Sequence, residues 1–314
     1  MTTGIRLSFN PAWHKYLPLL VAIDRGHFED AGVDVELHPF TGSAHTQLPL
    51  LDQRELDMTI VASAVPLLHH LGQGGDVRLI ACINQTRRSH LDSCRLVVRQ
   101  DLWDSGSVRE PRDMQGMVVD GAGEGSPIDF LLRQALFSGG LRLADVRYQC
   151  VGRTADLWPG LLLKRSVDVQ SMIEPIATQV EADGLGTRWL SYSDVTPWYQ
   201  ETYLAADRRL ISSDPEMVVA FLSGLLNGIK EVAAAEGTWT PALLTTAAKW
   251  TKHTEGFIQR IGGLPYAPLD GRISIDSLNA VQEFWISQGL IVKPLPADLM
   301  VNMIPLERAA SAVG

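Results

Sequence analysis

Cysteine is scarce and basic residues are outnumbered, and each shortage excludes a class of protein. Cys82, Cys94 and Cys150 are the three cysteines among 314 residues, an odd number at spacings unlike any metal or redox motif. A chain of this length buries about three quarters of the surface its unfolded form exposes, so neither disulfides nor a metal is needed to hold it. The cysteines are expected as buried small hydrophobes in a reducing compartment. Lys and Arg number 27 against 36 Asp and Glu, a net charge of −9, which argues against a nucleic-acid binder, since that needs a basic face to displace counterions. Long apolar runs are missing too: stretches such as Leu17–Ile23 last only a few residues, and that one contains Pro18. No transmembrane helix is expected. The first residues run from Met1-Thr2-Thr3-Gly4 straight into an alternating Ile5-Arg6-Leu7-Ser8-Phe9, without the basic start, apolar core and small-residue cleavage site of a secretory signal. As written the chain is expected in the cytoplasm, or in the periplasm or at the cell surface if an export signal is missing from it.

What is present reads as α/β. Hydrophobic residues at 46% and charged ones at 20% indicate a globular chain. Strand patterns at 5–9, 34–37, 58–62 and 77–83 alternate with helical patterns at 18–25, 44–53 and 65–71. The rhythm returns in strands at 95–98, 117–120, 146–151, 167–172 and 188–192, with helices at 128–137, 156–164 and 176–182 between them. Such alternation predicts parallel sheets with right-handed crossovers. The last hundred residues read as mostly helical, with Ser213 and Glu216 at capping-box spacing around Pro215. Another helix is expected from Ile275 to about Gln288, ending at Gly289. Extended crossings near 98–100 and 192–199 make residues 1–98 and 196–314 one lobe and 99–195 the other, with a ligand cleft at the carboxyl ends of the strands.

The segment Ala22-Ile23-Asp24-Arg25-Gly26-His27-Phe28-Glu29-Asp30-Ala31-Gly32-Val33-Asp34-Val35-Glu36 resembles the A-x-x-x-G-Y-F-x-x-x-G-L-D-V-E opening of solute-binding proteins of the nitrate, sulfonate and thiamine-pyrimidine type. Leu56-Asp57-Met58 is similar to the family's entry to its third strand, and Pro111-Arg112-Asp113-Met114-Gln115-Gly116 to the start of its second lobe. Ser166-Val167-Asp168-Val169 followed by Glu174-Pro175 resembles its G-x-V-D-A and E-P pair, and the likeness runs on through Gly289-Leu290-Ile291 and Pro296-Ala297-Asp298. The resemblance implies the two-lobed fold of type 2 periplasmic binding proteins, each lobe a mostly parallel sheet flanked by helices, with a discontinuous first lobe. The implied partners are a small-molecule ligand and an ABC permease.

Side chains expected at the cleft follow from the strand ends. After the first strand, Asn10 offers an amide, Trp13 an aromatic face, and His14 a group that titrates near neutrality. Local packing of Trp13 and His14 against the first helix is the competing reading. The loop Gly121–Pro127 is expected to present Gly123, Gly125 and Ser126 with free N–H groups for a carboxylate, sulfonate or phosphate at a helix N-terminus, or else Ser126 merely caps that helix. It is neither a Walker loop nor a dinucleotide fingerprint. Ser43, Ser63 and Ala64 follow the second and third strands, and the resemblance raises their standing. Glu174 can fix an amine or ring nitrogen, or serve as an acid/base if desolvated; Trp198 can close over a flat ligand. The eight histidines show no metal spacing, His69 and His70 being adjacent, and neither metal nor cofactor is expected.

Two functions remain. One is binding of a small planar or anionic organic ligand, such as a sulfonate, pyrimidine or aromatic acid, for an ABC-type uptake system. The other is a cytoplasmic enzyme on the same fold, with His14 and Glu174 as the acid/base pair. Relatives that resemble the chain include thiamine-pyrimidine synthases, a desulfinase and decarboxylases, but the synthases' Cys-rich run is missing, and Asn10-Pro11 stands where the desulfinase has its nucleophile. A transcription regulator is not expected, because in the sequence as written strand residues begin at Ile5 where a helix-turn-helix should stand.

Overall fold

Runs of Val, Ile and Leu bounded by Gly, Pro and Asp form ten strands in a computed structural model that describes residues 4–40, 44–152 and 155–313. In chain order they are β1 (Ile5–Phe9), β2 (Val35–Pro39), β3 (Met58–Ala62), β4 (Val77–Gln85), β5 (Cys94–Arg99), β6 (Val118–Asp120), β7 (Arg147–Gln149), β8 (Val169–Ile173), β9 (Gly186–Ser191) and β10 (Gln200–Asp207). The chain divides into two compact units: Met1–Gln85, Ser89–Leu91 and Gln200–Gly314 form unit 1, and Thr86–Arg88 with Asp92–Tyr199 form unit 2.

Each unit holds one five-stranded mixed sheet, in the order β2-β1-β3-β10-β4 in unit 1 and β7-β6-β8-β5-β9 in unit 2. β1 pairs in parallel with β2 and β3, and β6 likewise with β7 and β8. The fourth strand of each sheet, β10 or β5, is antiparallel to both its neighbours. That strand is in each case the first one after the chain enters the unit for good, so it arrives from the opposite end and threads between parallel strands. The two sheets thus repeat one topology, which the sequence does not display as a repeat.

One sequence expectation needs correction here, and one strand went unread. β5, placed by the sequence before the first crossing, hydrogen-bonds within the unit 2 sheet and lies after it. β10 lies between the second crossing at 192–199 and the helix expected from Ser213, a stretch given no strand by the sequence; its Ala205 and Ala206 are helix formers, yet all eight residues are buried between β3 and β4. Tertiary pairing overrides propensity in such a strand.

In unit 1 the apolar side chains Leu7, Phe9, Ile60 and Leu204 of the sheet pack beneath helices Leu17–Asp24 and Pro215–Ala233, which contribute Leu19, Leu20, Phe221 and Leu225. The two helices approach closely because of Gly228: a Cβ there would stand 2.2 Å from the Pro18 carbonyl oxygen. Helix Pro215–Ala233 is capped by Asp214, whose carboxylate accepts the Met217 N–H at 3.1 Å. Ser213 is therefore not the cap; with Pro215 in the first helical position, the capping residue is the one just before it. In unit 2, helix Pro127–Ser138 covers β8 and β5 with Phe130, Leu131, Leu132 and Leu136 buried.

Two aspartates serve the same purpose in the two sheets. Asp57, just ahead of β3, accepts from the Arg6 backbone N–H at 2.8 Å and from the Arg6 guanidinium at 2.9 and 2.8 Å. Asp168, just ahead of β8, accepts from the Val118 N–H at 2.8 Å and from Arg99 at 2.6 Å. Each carboxylate ties the start of the third parallel strand to the first.

Candidate functional site

The carboxyl ends of β1 and β3, neighbours in the unit 1 sheet, bring Asn10, Trp13, His14, Ser63 and Ala64 together. Asn10 spends its side-chain oxygen on the Ala12 N–H at 3.0 Å, closing the turn. Trp13 lies half-buried against the apolar core, its ring 5.9 Å from that of Tyr16. His14 is 2% exposed, and neither ring nitrogen has a hydrogen-bond partner. Its ring stacks on that of His253 at 5.5 Å and 19°. Burial, and to a lesser degree the neighbouring His253, lower its pKa to about 4, so the imidazole is neutral at pH 7. Ser63 donates its N–H to the Glu201 carbonyl at 2.8 Å, while Ala64 precedes helix Val65–Gly72 without a side-chain cap. Ser43 lies outside the described residues.

Sequence reasoning missed the polar groups that β4 and β10 add at this end of the sheet. Lys15 and Glu201, 5% and 1% exposed, form an ion pair at 2.5 Å. Asn84 and Thr202 stand opposite each other in the β4–β10 register, so their side chains share a face. The Asn84 Nδ2 and the Thr202 hydroxyl are buried without a hydrogen-bond partner. The 3-10 turn His14–Tyr16 packs on β4, the strand that carries Asn84. An unpaired buried polar group costs roughly 1–3 kcal/mol, and native structures keep few. The one signal in the sequence was the polar triplet Gln200-Glu201-Thr202 leading an otherwise apolar run.

In unit 2 the neighbouring ends of β6 and β8 bring Gly123, Gly125, Ser126 and Glu174 to one edge. The loop after β6 departs from the expectation of free N–H groups. Ala122 donates to Asp120, Gly123 to the Gly121 carbonyl, Glu124 to the Cys150 sulfur, Gly125 to Asp129, and Ser126 to the Gly123 carbonyl. Two of these N–H groups serve the protein's own carboxylates, Ala122 that of Asp120 and Gly125 that of Asp129. Asp129 accepts from Gly125 at 2.9 Å, from Arg133 Nε at 2.9 Å and from the Tyr148 hydroxyl at 3.0 Å. Ser126 is the helix cap, its hydroxyl accepting the Asp129 N–H at 3.1 Å. Glu124 turns to Arg133 at 3.1 Å.

Glu174 is 4% exposed and fully engaged. One oxygen accepts from the Thr178 N–H and hydroxyl at 3.0 and 2.8 Å, and the other from Arg188 at 3.2 Å. Burial raises its pKa, while Thr178 and Arg188 pull the other way. Trp198, 40% exposed, meets Phe130 edge-on at 6.4 Å. Cys82 and Cys94 are buried, and burial pushes the Cys82 thiol far above its usual value; Cys150 is exposed. Among the described residues no group of three or more His, Cys, Asp or Glu is placed to hold a metal ion, and no helix is long and apolar enough to cross a membrane.

Two sheets of order 2-1-3-n-4, each with its antiparallel strand entering from the other unit, define the fold of type 2 periplasmic binding proteins. The chain belongs to the NMT1/THI5-like family, whose model matches residues 13–236. Among solved structures it is similar to the ligand-binding component of an ABC-type import system from Staphylococcus aureus, at 12% identity and a TM-score of 0.77 over 98% of each chain. It is also similar to the periplasmic nitrate-binding protein NrtA from Synechocystis PCC 6803, at 15% identity and a TM-score of 0.76 over 99% of this chain and 89% of that one. A third likeness is to DSZB in complex with biphenyl-2-sulfinic acid, at 14% identity and a TM-score of 0.69 over 99% and 100% of the chains. No curated protein matches the sequence.

Proposed function

We propose that this chain is the ligand-binding component of an ABC-type import system, delivering a small organic ligand to a permease. The observation that carries this reading is the gathering of polar side chains at the carboxyl ends of neighbouring strands, where both ring nitrogens of His14, Asn84 Nδ2 and the Thr202 hydroxyl are buried without a hydrogen-bond partner. Ligands of open α/β sheets bind at that edge. The family and the ABC-system relatives support the same reading. Binding that shifts a conformational equilibrium needs no nucleophile, and the buried thiols Cys82 and Cys94 offer none. Sulfonates, pyrimidines and aromatic acids make up the ligand class to test. A thermal-shift screen over that class, followed by calorimetry, tests the proposal. A true ligand at 100 times its Kd should stabilise the chain by about 2.7 kcal/mol and be recovered unchanged.

The likeness to DSZB favours a second reading, an enzyme acting on a small aromatic acid. Here His14 is the stronger acid/base candidate, since Glu174 has both oxygens bound by Thr178 and Arg188. Mass spectrometry of the same ligand mixtures separates the two readings: product that appears with the wild type and vanishes with His14→Ala favours the enzyme.

A further inference from the structure

The ligand-binding reading leaves open what unit 1 recognises, and its unbonded groups narrow the chemistry. Asn84 Nδ2 is a donor, and the Thr202 hydroxyl donates or accepts. A neutral imidazole at His14 supplies one donor and one acceptor. Their natural complement is a carbonyl oxygen beside an N–H. Charge points the same way. Lys15 is the one buried Lys or Arg of unit 1 among the described residues, and Glu201 already neutralises it. A carboxylate or sulfonate pressed against this cluster would bring an unpaired charge into a buried place, which proteins avoid.

We propose that the His14–Asn84–Thr202 cluster of unit 1 recognises an uncharged carboxamide or ureide group of the ligand. The proposal rests on the ligand-binding reading and adds the identity of the group met by this unit. In it the ligand carbonyl accepts from Asn84 Nδ2 and the Thr202 hydroxyl, and the ligand N–H donates to a ring nitrogen of His14. Stacking on His253 holds the imidazole plane, and the 3-10 turn His14–Tyr16 keeps it against β4.

The test uses matched probes that differ by one carboxamide-for-carboxylate exchange: nicotinamide against nicotinate, and 4-carbamoylbenzoate against terephthalate, with methanesulfonate alongside. Affinities are measured by calorimetry on the full chain, for the wild type, Asn84→Asp and Thr202→Val. The amide of each pair should bind at least about tenfold more tightly than its acid, and each substitution should weaken amide binding by about tenfold, the loss of one hydrogen bond. Thr202→Val keeps the size and branching of its side chain in β10, so it remains informative if Asn84→Asp fails to fold. Acids or methanesulfonate binding more tightly than the amides, or amide binding indifferent to Thr202→Val, overturns the proposal and leaves the parent reading standing. Silence from every probe, with a sulfonate or pyrimidine from the wider screen binding regardless of Thr202→Val, overturns it equally. Silence from probes and screen alike counts against the parent reading and takes this proposal with it.

Discussion

Replacing His14 by Phe turns the buried imidazole into a measurable quantity. A pKa lowered from 6.5 to about 4 means that the unfolded chain binds a proton over a pH range where the folded chain does not. Stability therefore rises with pH across that window, is complete above about 6.5, and is lost as pH falls toward 4. Integrated over the window, the loss is about 3 kcal/mol. His253, whose pKa burial also lowers, contributes with the same sign. Phe fills the space of the ring, keeps a flat face for His253 and removes two unbonded nitrogens, so His14→Phe should be at least as stable as the wild type at pH 7. Denaturant unfolding of both proteins between pH 7 and pH 4 gives the comparison. Carboxylates that titrate in this range act on both proteins alike and cancel in the difference. The wild type should lose about 3 kcal/mol relative to the variant, on the order of 6–12 °C in Tm. Parallel stability curves would show that the imidazole gains its proton in the folded chain as readily as in the unfolded one, refuting its burial as a neutral group.

Four further outcomes follow from particular contacts. Gly228→Ala places a methyl group against the Pro18 carbonyl and should destabilise unit 1 by roughly 1–3 kcal/mol in chemical denaturation. Asp168→Asn weakens the bridge between Arg99 and the start of β6, with an expected loss of about 1–3 kcal/mol that Asp168→Glu does not fully recover. Ser126→Ala removes the cap of helix Pro127–Ser138 and should cost about 1 kcal/mol without changing the helical circular dichroism at 25 °C. Under native conditions a thiol reagent should label Cys150 quickly, while Cys82 and Cys94 react only once the chain unfolds; mass spectrometry of the labelled chain reads the order directly.

The fold was legible because the residues that carry the family likeness are the ones that build it. Gly26 and Gly116 sit at φ of 75° and 73°, a region open to glycine at no steric cost. Asp57 and Asp168 hold the first and third strands of their sheets together, and Glu174 binds Thr178 at the start of the helix after β8. Such roles depend on local backbone geometry, so they leave a mark at short sequence spacing. β10 left none, because its partners β3 and β4 lie more than a hundred residues away and its apolar residues are as fit for a helix as for a strand.

The same distinction separates the candidate site from the motifs. His14, Asn84, Thr202 and the Lys15–Glu201 pair come from segments far apart in the chain, and only the sheet order places them at one edge. The glycine loop after β6 is the converse case. Its spacing suggests an anion site, and it does hold an anion, the carboxylate of Asp129, with Arg133 and Tyr148 completing the set. A loop built to hold an external anion would leave its N–H groups open, whereas here Asp129, in the first turn of the next helix, takes that of Gly125 and the others bond to Asp120, to Cys150 or within the loop. On the proposed reading, recognition rests on groups left unbonded, His14, Asn84 and Thr202, rather than on groups that match a motif, and those groups are uncharged.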